Sequence, residues 1–244
     1  MTRSPSPGPA SAAWAAGLLI VQFALIWTTF FILSSAIGWP ASLGDPATVA
    51  LPRLTENAGA VMAGYGFYML AALLLVPATA ALNARLGLSP ALSQLTLGLA
   101  VLSAVFKAIG IGRWLFVMPS LAEAWSRPGA DHATLSIVFD ALNAYAGGVG
   151  EGLGVGLIGG LWTIIVGGLI ATRRGPHARW GSRLIGGYAV ITGLGLFLTV
   201  PGALGVEMGP VLTLTNIAWQ FALLFIALWT AAALRRSVVR GADQ

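Results

Sequence analysis

Four ionisable side chains fall inside long apolar runs: Lys107 and Arg113 in one run, Asp140 and Glu151 in the next. Within hydrocarbon each costs at least a few kcal/mol, so such groups meet a partner or an aqueous cavity and are the first candidates for chemistry. Two cations and two acids invite pairing. If the runs are antiparallel helices, their order sets Arg113 against Asp140 near one interface and Lys107 against Glu151 deeper. Asp140, Asn143, Gly147 and Glu151 recur at intervals of three, four and four residues, which places them on one helical face. Lys107 and Arg113 are six residues apart, about 240° around a helix of 3.6 residues per turn, so the geometry does not favour both pairs at once. Glu56, Asn57, Tyr65 and Tyr68 upstream and Asn216 and Gln220 downstream lie at similar depth, extending the cluster into a polar pocket.

Two readings of this constellation stand side by side. Buried polar contacts can fix a helical bundle without any ligand. Alternatively Lys107, Arg113, Asp140, Asn143 and Glu151 bind a small polar or amphiphilic molecule, or an ion. Glu151 is central to that second reading, because burial and a nearby Lys107 act on its charge in opposite directions. A hydrolase or transferase ranks last. Lys107, Glu151 and Asp140 are its sole acid-base set, with no good nucleophile beside them.

Absences narrow the chemistry further. The chain has 0 Cys, which excludes disulfides, thiolate nucleophiles and iron-sulfur clusters. Its two histidines, His132 and His177, are too few for a His-rich metal or bis-His haem site, so no metal and no cofactor is expected. His132 reads as a solvated loop residue, and His177 sits among arginines. Gly154, Gly156 and Gly159 match G-x-G-x-x-G, but no strand precedes them and the run is mid-membrane, so no dinucleotide site follows.

The elements that must position these residues are spanning helices. Charged residues make up 9% of 244 residues, with 57% hydrophobic, where soluble domains carry roughly 25% charged residues. A span takes about 20 mainly apolar residues, and six stretches qualify: 13–37, 58–82, 89–118, 133–171, 184–200 and 211–234. Ser89-Pro90 supplies an N-cap and a first-turn proline to the third. The fourth is unusually long. Cutting it at Gly147-Gly148 would make seven spans; keeping it whole makes residues 133–148 an interfacial turn or the end of a tilted helix. Small residues at Gly148, Gly152, Gly156 and Gly160 allow close backbone approach. They serve packing within the bundle or, if this is an accessory or regulatory subunit, docking on a membrane-protein partner.

Positive charge orients the chain. Arg3, Arg85, Arg173, Arg174, Arg179, Arg183, Arg235, Arg236 and Arg240 fall on one side, and only Arg53 and Arg127 on the other. This split predicts an even number of spans with both termini inside, and an outward-facing pocket. The expected fold is therefore all-α, a polytopic membrane bundle of six transmembrane helices over residues 11–236. A disordered tail precedes it at 1–10 and a cytoplasmic tail follows at 237–244. The first run is far longer than the roughly 7–15 apolar residues of a secretory signal, so it reads as a span. The pI of 10.4 follows from arginine clusters that meet anionic lipid headgroups, and nucleic acid is not an expected partner.

The segments GRWLFVMPSLAEAW (112–125) and FDALNAYAGGVGEGLG (139–154), with Trp162, HARWGSRLIGGYAVITGLG and the helix from Gln220 to Trp229, resemble domain-of-unknown-function family 4386. The resemblance runs from the second helix onward. It implies a multi-helix protein of the bacterial inner membrane and supplies no activity. It overlaps Arg113, Asn143 and Glu151, which spacing alone had selected.

Overall fold

A computed structural model describes residues 9–173, 179–206 and 210–242. Among these residues there are helices and no strands. Six helices are long and apolar enough to cross a membrane: Ala10–Ile37, Ala58–Leu86, Pro90–Trp125, His132–Ala171, Trp180–Ala203 and Pro210–Ala232. This is the fold class that the hydropathy predicts. The fourth stretch stays whole, so the seven-span alternative does not hold. Residues 1–8 of the expected first tail, 243–244 of the last, His177 and the orienting arginines Arg3 and Arg174 lie outside the described residues. Helix α1 (Pro9–Ile37) begins just inside the expected tail.

The spans pack in chain order. Each lies against the next, and the last, α10 (Pro210–Ala242), returns to α1, closing a ring of six. The half of the ring nearer the termini is filled by a cluster containing Leu19, Leu75, Val155, Trp162, Trp219 and Ile226. Outside the ring, large apolar side chains such as Phe31, Phe116, Ile137 and Ile191 are exposed. That is the reverse of a water-soluble surface and is what lipid requires.

Local chemistry sets the ends. Helix α1 stops at Gly38, whose φ of 74° suits a residue without a side chain. Ser89 Oγ accepts a hydrogen bond from the Leu92 amide, as the N-cap reading expects, and α4 (Pro90–Gly112) follows. Asp131 caps α6 (His132–Gly147), accepting from the Thr134 amide at 3.1 Å and its hydroxyl at 2.7 Å. These two bonds, the hydroxyl foremost, hold the Asp131 carboxyl below the usual carboxylate range. His132 is exposed and stacks on Trp125.

One element was not anticipated. Helix α2 (Ala47–Glu56) lies between the first two spans and buries Ala47, Ala50, Leu51 and Leu54. Its Arg53 pairs with Asp45 at 2.8 Å and donates to the Ile37 carbonyl, which ties α2 to the end of α1. Glu56 therefore ends α2, and α3 (Ala58–Leu86) starts beyond Asn57.

The third and fourth spans each contain a π-helical segment, Arg113–Val117 between α4 and α5 (Met118–Trp125), and Gly148–Gly159 between α6 and α7 (Gly160–Ala171). Each segment carries a charged candidate residue in its first turn, Arg113 in one and Glu151 in the other. The second has glycine at every alternate position from Gly148 to Gly156, where missing side chains ease close neighbours and a wider turn. The glycines at intervals of four face the fifth span. A Cβ at Gly152 would stand 2.8 Å from Ala203 Cβ, and one at Gly160 would stand 2.8 Å from the Gly193 carbonyl. Their neighbours thus come from α8 (Arg179–Leu196) and α9 (Thr199–Ala203) of the same chain, and the stripe is covered from within.

Candidate functional site

A cavity of about 730 Å³ lies in the half of the ring away from the termini. All six spans line it, and the turn at 39–43 adds Trp39 and Leu43. One wall is aromatic, with Trp27 and Phe30 from α1, Trp39 from the turn and Tyr68 from α3. The rest of the lining includes a polar wall: Arg113, Asn143, Glu151, Asn216 and Gln220. Gly147, Gly148 and Gly202 keep the space between them clear.

Beneath it a void of about 40 Å³ connects the same polar wall to Lys107, Tyr65 and Trp114. Lys107 is 4% exposed. Its Nζ lies 4.8 Å from the centre of the Trp219 ring, a cation-π contact in a desolvated setting. Trp219 is held in turn by a 2.8 Å hydrogen bond from its Nε1 to Thr163 Oγ1. Tyr65 stacks flat on Trp114 with ring centres 5.2 Å apart. Glu151 sits within electrostatic reach of both Arg113 and Lys107, with the Asn216 side chain, which donates to the Leu212 carbonyl at 3.0 Å, beside it on the same cavity.

The predicted residues divide accordingly. Arg113, Asn143 and Glu151 meet at one cavity, and Lys107 lies just below them. Tyr65, Tyr68, Asn216 and Gln220 belong to the same cluster, whereas Glu56 and Asn57 do not. Asp140 is exposed and lines neither space. Among the described residues the ion pairs within 4.0 Å are Arg53 with Asp45 and Arg127 with Glu123. Neither expected pair closes at that distance. Instead one carboxylate, Glu151, serves two cations, because residues 143, 147 and 151 turn inward while Asp140, a turn earlier, points away. The acid-base set of Lys107, Glu151 and Asp140 consequently does not assemble.

Arg113 lines the cavity with most of its donors unspent, its guanidinium 5.6 Å from the centre of the Trp114 ring. Its Nη1 donates to the Gly110 carbonyl of its own helix at 3.0 Å, and its Nε is buried without a partner. The guanidinium lies against Gly147, where a Cβ would stand 3.3 Å from Nη2. Asn143 donates to the Leu43 carbonyl at 3.2 Å, pinning the turn over the cavity, while its Oδ1 is left buried and unpaired.

A family model described as a domain of unknown function, DUF4386, matches residues 15–231. The chain belongs to this family. No curated protein and no solved structure matches it. The DUF4386 region takes in all six spans, including the first, and every residue of the polar wall. Of the aromatic wall of this DUF4386 chain, Tyr68 was expected at the pocket, and Trp27, Phe30 and Trp39 were not. The available signal was Trp27, a tryptophan at mid-span rather than at the interfaces where an amphipathic ring prefers to sit.

Proposed function

We propose that this multi-pass membrane protein binds a small polar or amphiphilic molecule in the ring cavity. Arg113, Asn143 and Glu151 recognise the polar part, and Lys107 balances Glu151 from below. The arginine distribution supports termini in the cytoplasm and a cavity that faces outward from the inner membrane of a bacterial cell. The observation that carries the reading is a cluster of unmet polar atoms. Trp27 Nε1, Arg113 Nε, Asn143 Oδ1 and Gln220 Oε1 are buried without partners, and all four residues line the cavity. Each such atom costs about 1–3 kcal/mol. A guest with its own donors and acceptors meets these needs on arrival, after small side-chain rotations. The volume also falls within the roughly 300–1,000 Å³ of ligand sites.

Filling the cavity tests this. Ala144 lines it, and Ala144→Trp should leave the purified protein folded while abolishing the thermal shifts that library compounds produce in the wild type. Equal shifts in both proteins would place binding elsewhere.

A further inference from the structure

We infer that the occupant of this cavity carries an anionic head, a carboxylate or a phosphate, received by Arg113, with its apolar part along the aromatic wall. The inference rests on the binding reading above and narrows it to a ligand class.

The charges near the cavity do not balance. Two cations, Lys107 and Arg113, face one acid, Glu151. The nearest alternatives are committed or distant: Asp45 is held by Arg53, Glu123 by Arg127, and Asp140 is exposed outside the cavity. One positive charge is therefore in excess where the medium tolerates it poorly. Position assigns that excess to Arg113. Both cations feel the field of Glu151 and each lies over a tryptophan ring, Lys107 over Trp219 and Arg113 over Trp114. Arg113 lines the cavity, where a guest can reach it, whereas Lys107 lines only the small void beneath, and Arg113 spends a single hydrogen bond, to a carbonyl of its own helix, from a group with five N–H donors.

A cationic guest would add a third positive charge, and a zwitterion would leave the excess unchanged. An anion removes it, and a planar guanidinium takes carboxylate or phosphate through two parallel hydrogen bonds. Trp27 Nε1 is a second unpartnered donor on the same cavity. The volume of about 730 Å³ exceeds what a bare phosphate fills, and Ile26, Phe30, Leu212 and Ile217 provide apolar lining for a chain or ring.

The test uses the full chain in phosphatidylcholine nanodiscs and three brominated probes of equal length: 11-bromoundecanoate, 11-bromoundecanol and 11-bromoundecyltrimethylammonium. Bromine quenches tryptophan fluorescence, so Trp27 and Trp39 report occupancy above the linear background of membrane partitioning. We expect saturable quenching by the carboxylate at a concentration at least tenfold below that needed for the alcohol. Arg113→Gln should erase that preference, and Arg113→Lys should keep part of it. Displacement by inorganic phosphate would identify a free anion as the source. Displacement only by phosphatidylglycerol in the disc would identify a lipid headgroup, and either supports the inference. Equal saturable binding of alcohol or ammonium probe overturns the anionic head while the cavity reading survives. No saturable quenching by any of the three overturns the cavity reading itself. The comparison of probes on wild-type protein stands even if Arg113→Gln fails to fold.

Discussion

Replacing Gly110 by leucine is expected to remove most of the protein's stability. A Cβ built at Gly110 stands 2.8 Å from Gly150 Cα and 3.1 Å from the Ala146 carbonyl, and one at Gly150 stands 3.0 Å from Gly110 Cα. The third and fourth spans thus touch backbone to backbone, and a flexible side chain is not what must yield. Overpacking typically costs about 1–3 kcal/mol and occasionally more; a collision with main chain on both sides belongs at or above the upper end. The separation would also carry Arg113 and Glu151 apart, since they follow within three and one residues of the contact. Gly98 is the control. It lies exposed on the same helix with nothing within 4 Å of its built Cβ, so Gly98→Leu should melt close to the wild type. Indistinguishable melting of the two variants in detergent would contradict the packing described here.

The second large effect concerns Glu151. Glu151→Gln removes the one acid that Lys107 and Arg113 share, and leaving buried charge uncompensated costs roughly 3–5 kcal/mol. Lys107→Met should cost less, because Glu151 keeps Arg113. The double variant should recover part of the loss, giving a coupling within the roughly 0.5–3 kcal/mol seen for residues of one network. Strict additivity of the two changes in unfolding free energy would mean that Lys107 and Glu151 do not sense each other. The same cycle performed with Asp140→Asn in place of Glu151→Gln should be additive, as Asp140 is exposed away from the cluster.

The ring and half of its site were legible for reasons that can be named. Spanning length is a property of composition, so the six helices follow from hydropathy, and Ser89-Pro90 marks the start of the third by cap chemistry. The intervals from Asn143 to Glu151 and from Gly148 to Gly160 encode faces because polar and glycine residues contrast with their apolar surroundings. Helix α1 has a sparser contrast, Gln22 and Thr29, both buried and seven residues apart. Lipid tails are as apolar as its packing neighbours, so its apolar residues show no inward side, and Trp27 and Phe30 were missed. Helix α2 was hidden by Pro52 and Arg53, which read as loop residues until Arg53 is seen to bind Asp45 and the end of α1. The expected pairing of Arg113 with Asp140 failed because chain order fixes depth and not azimuth.

The chain has no cysteine, which makes single-cysteine labelling a direct probe of whether water reaches the polar wall. Thiols react as thiolates, which need water to form. In intact cells, Asn143→Cys and Thr213→Cys, both at cavity-lining positions, should react with a charged, membrane-impermeant methanethiosulfonate added outside. Leu75→Cys, buried in the packed half, should not react. If both cavity positions are as protected as Leu75→Cys, with the protein folded, the site is dry and the ligand-binding account is wrong.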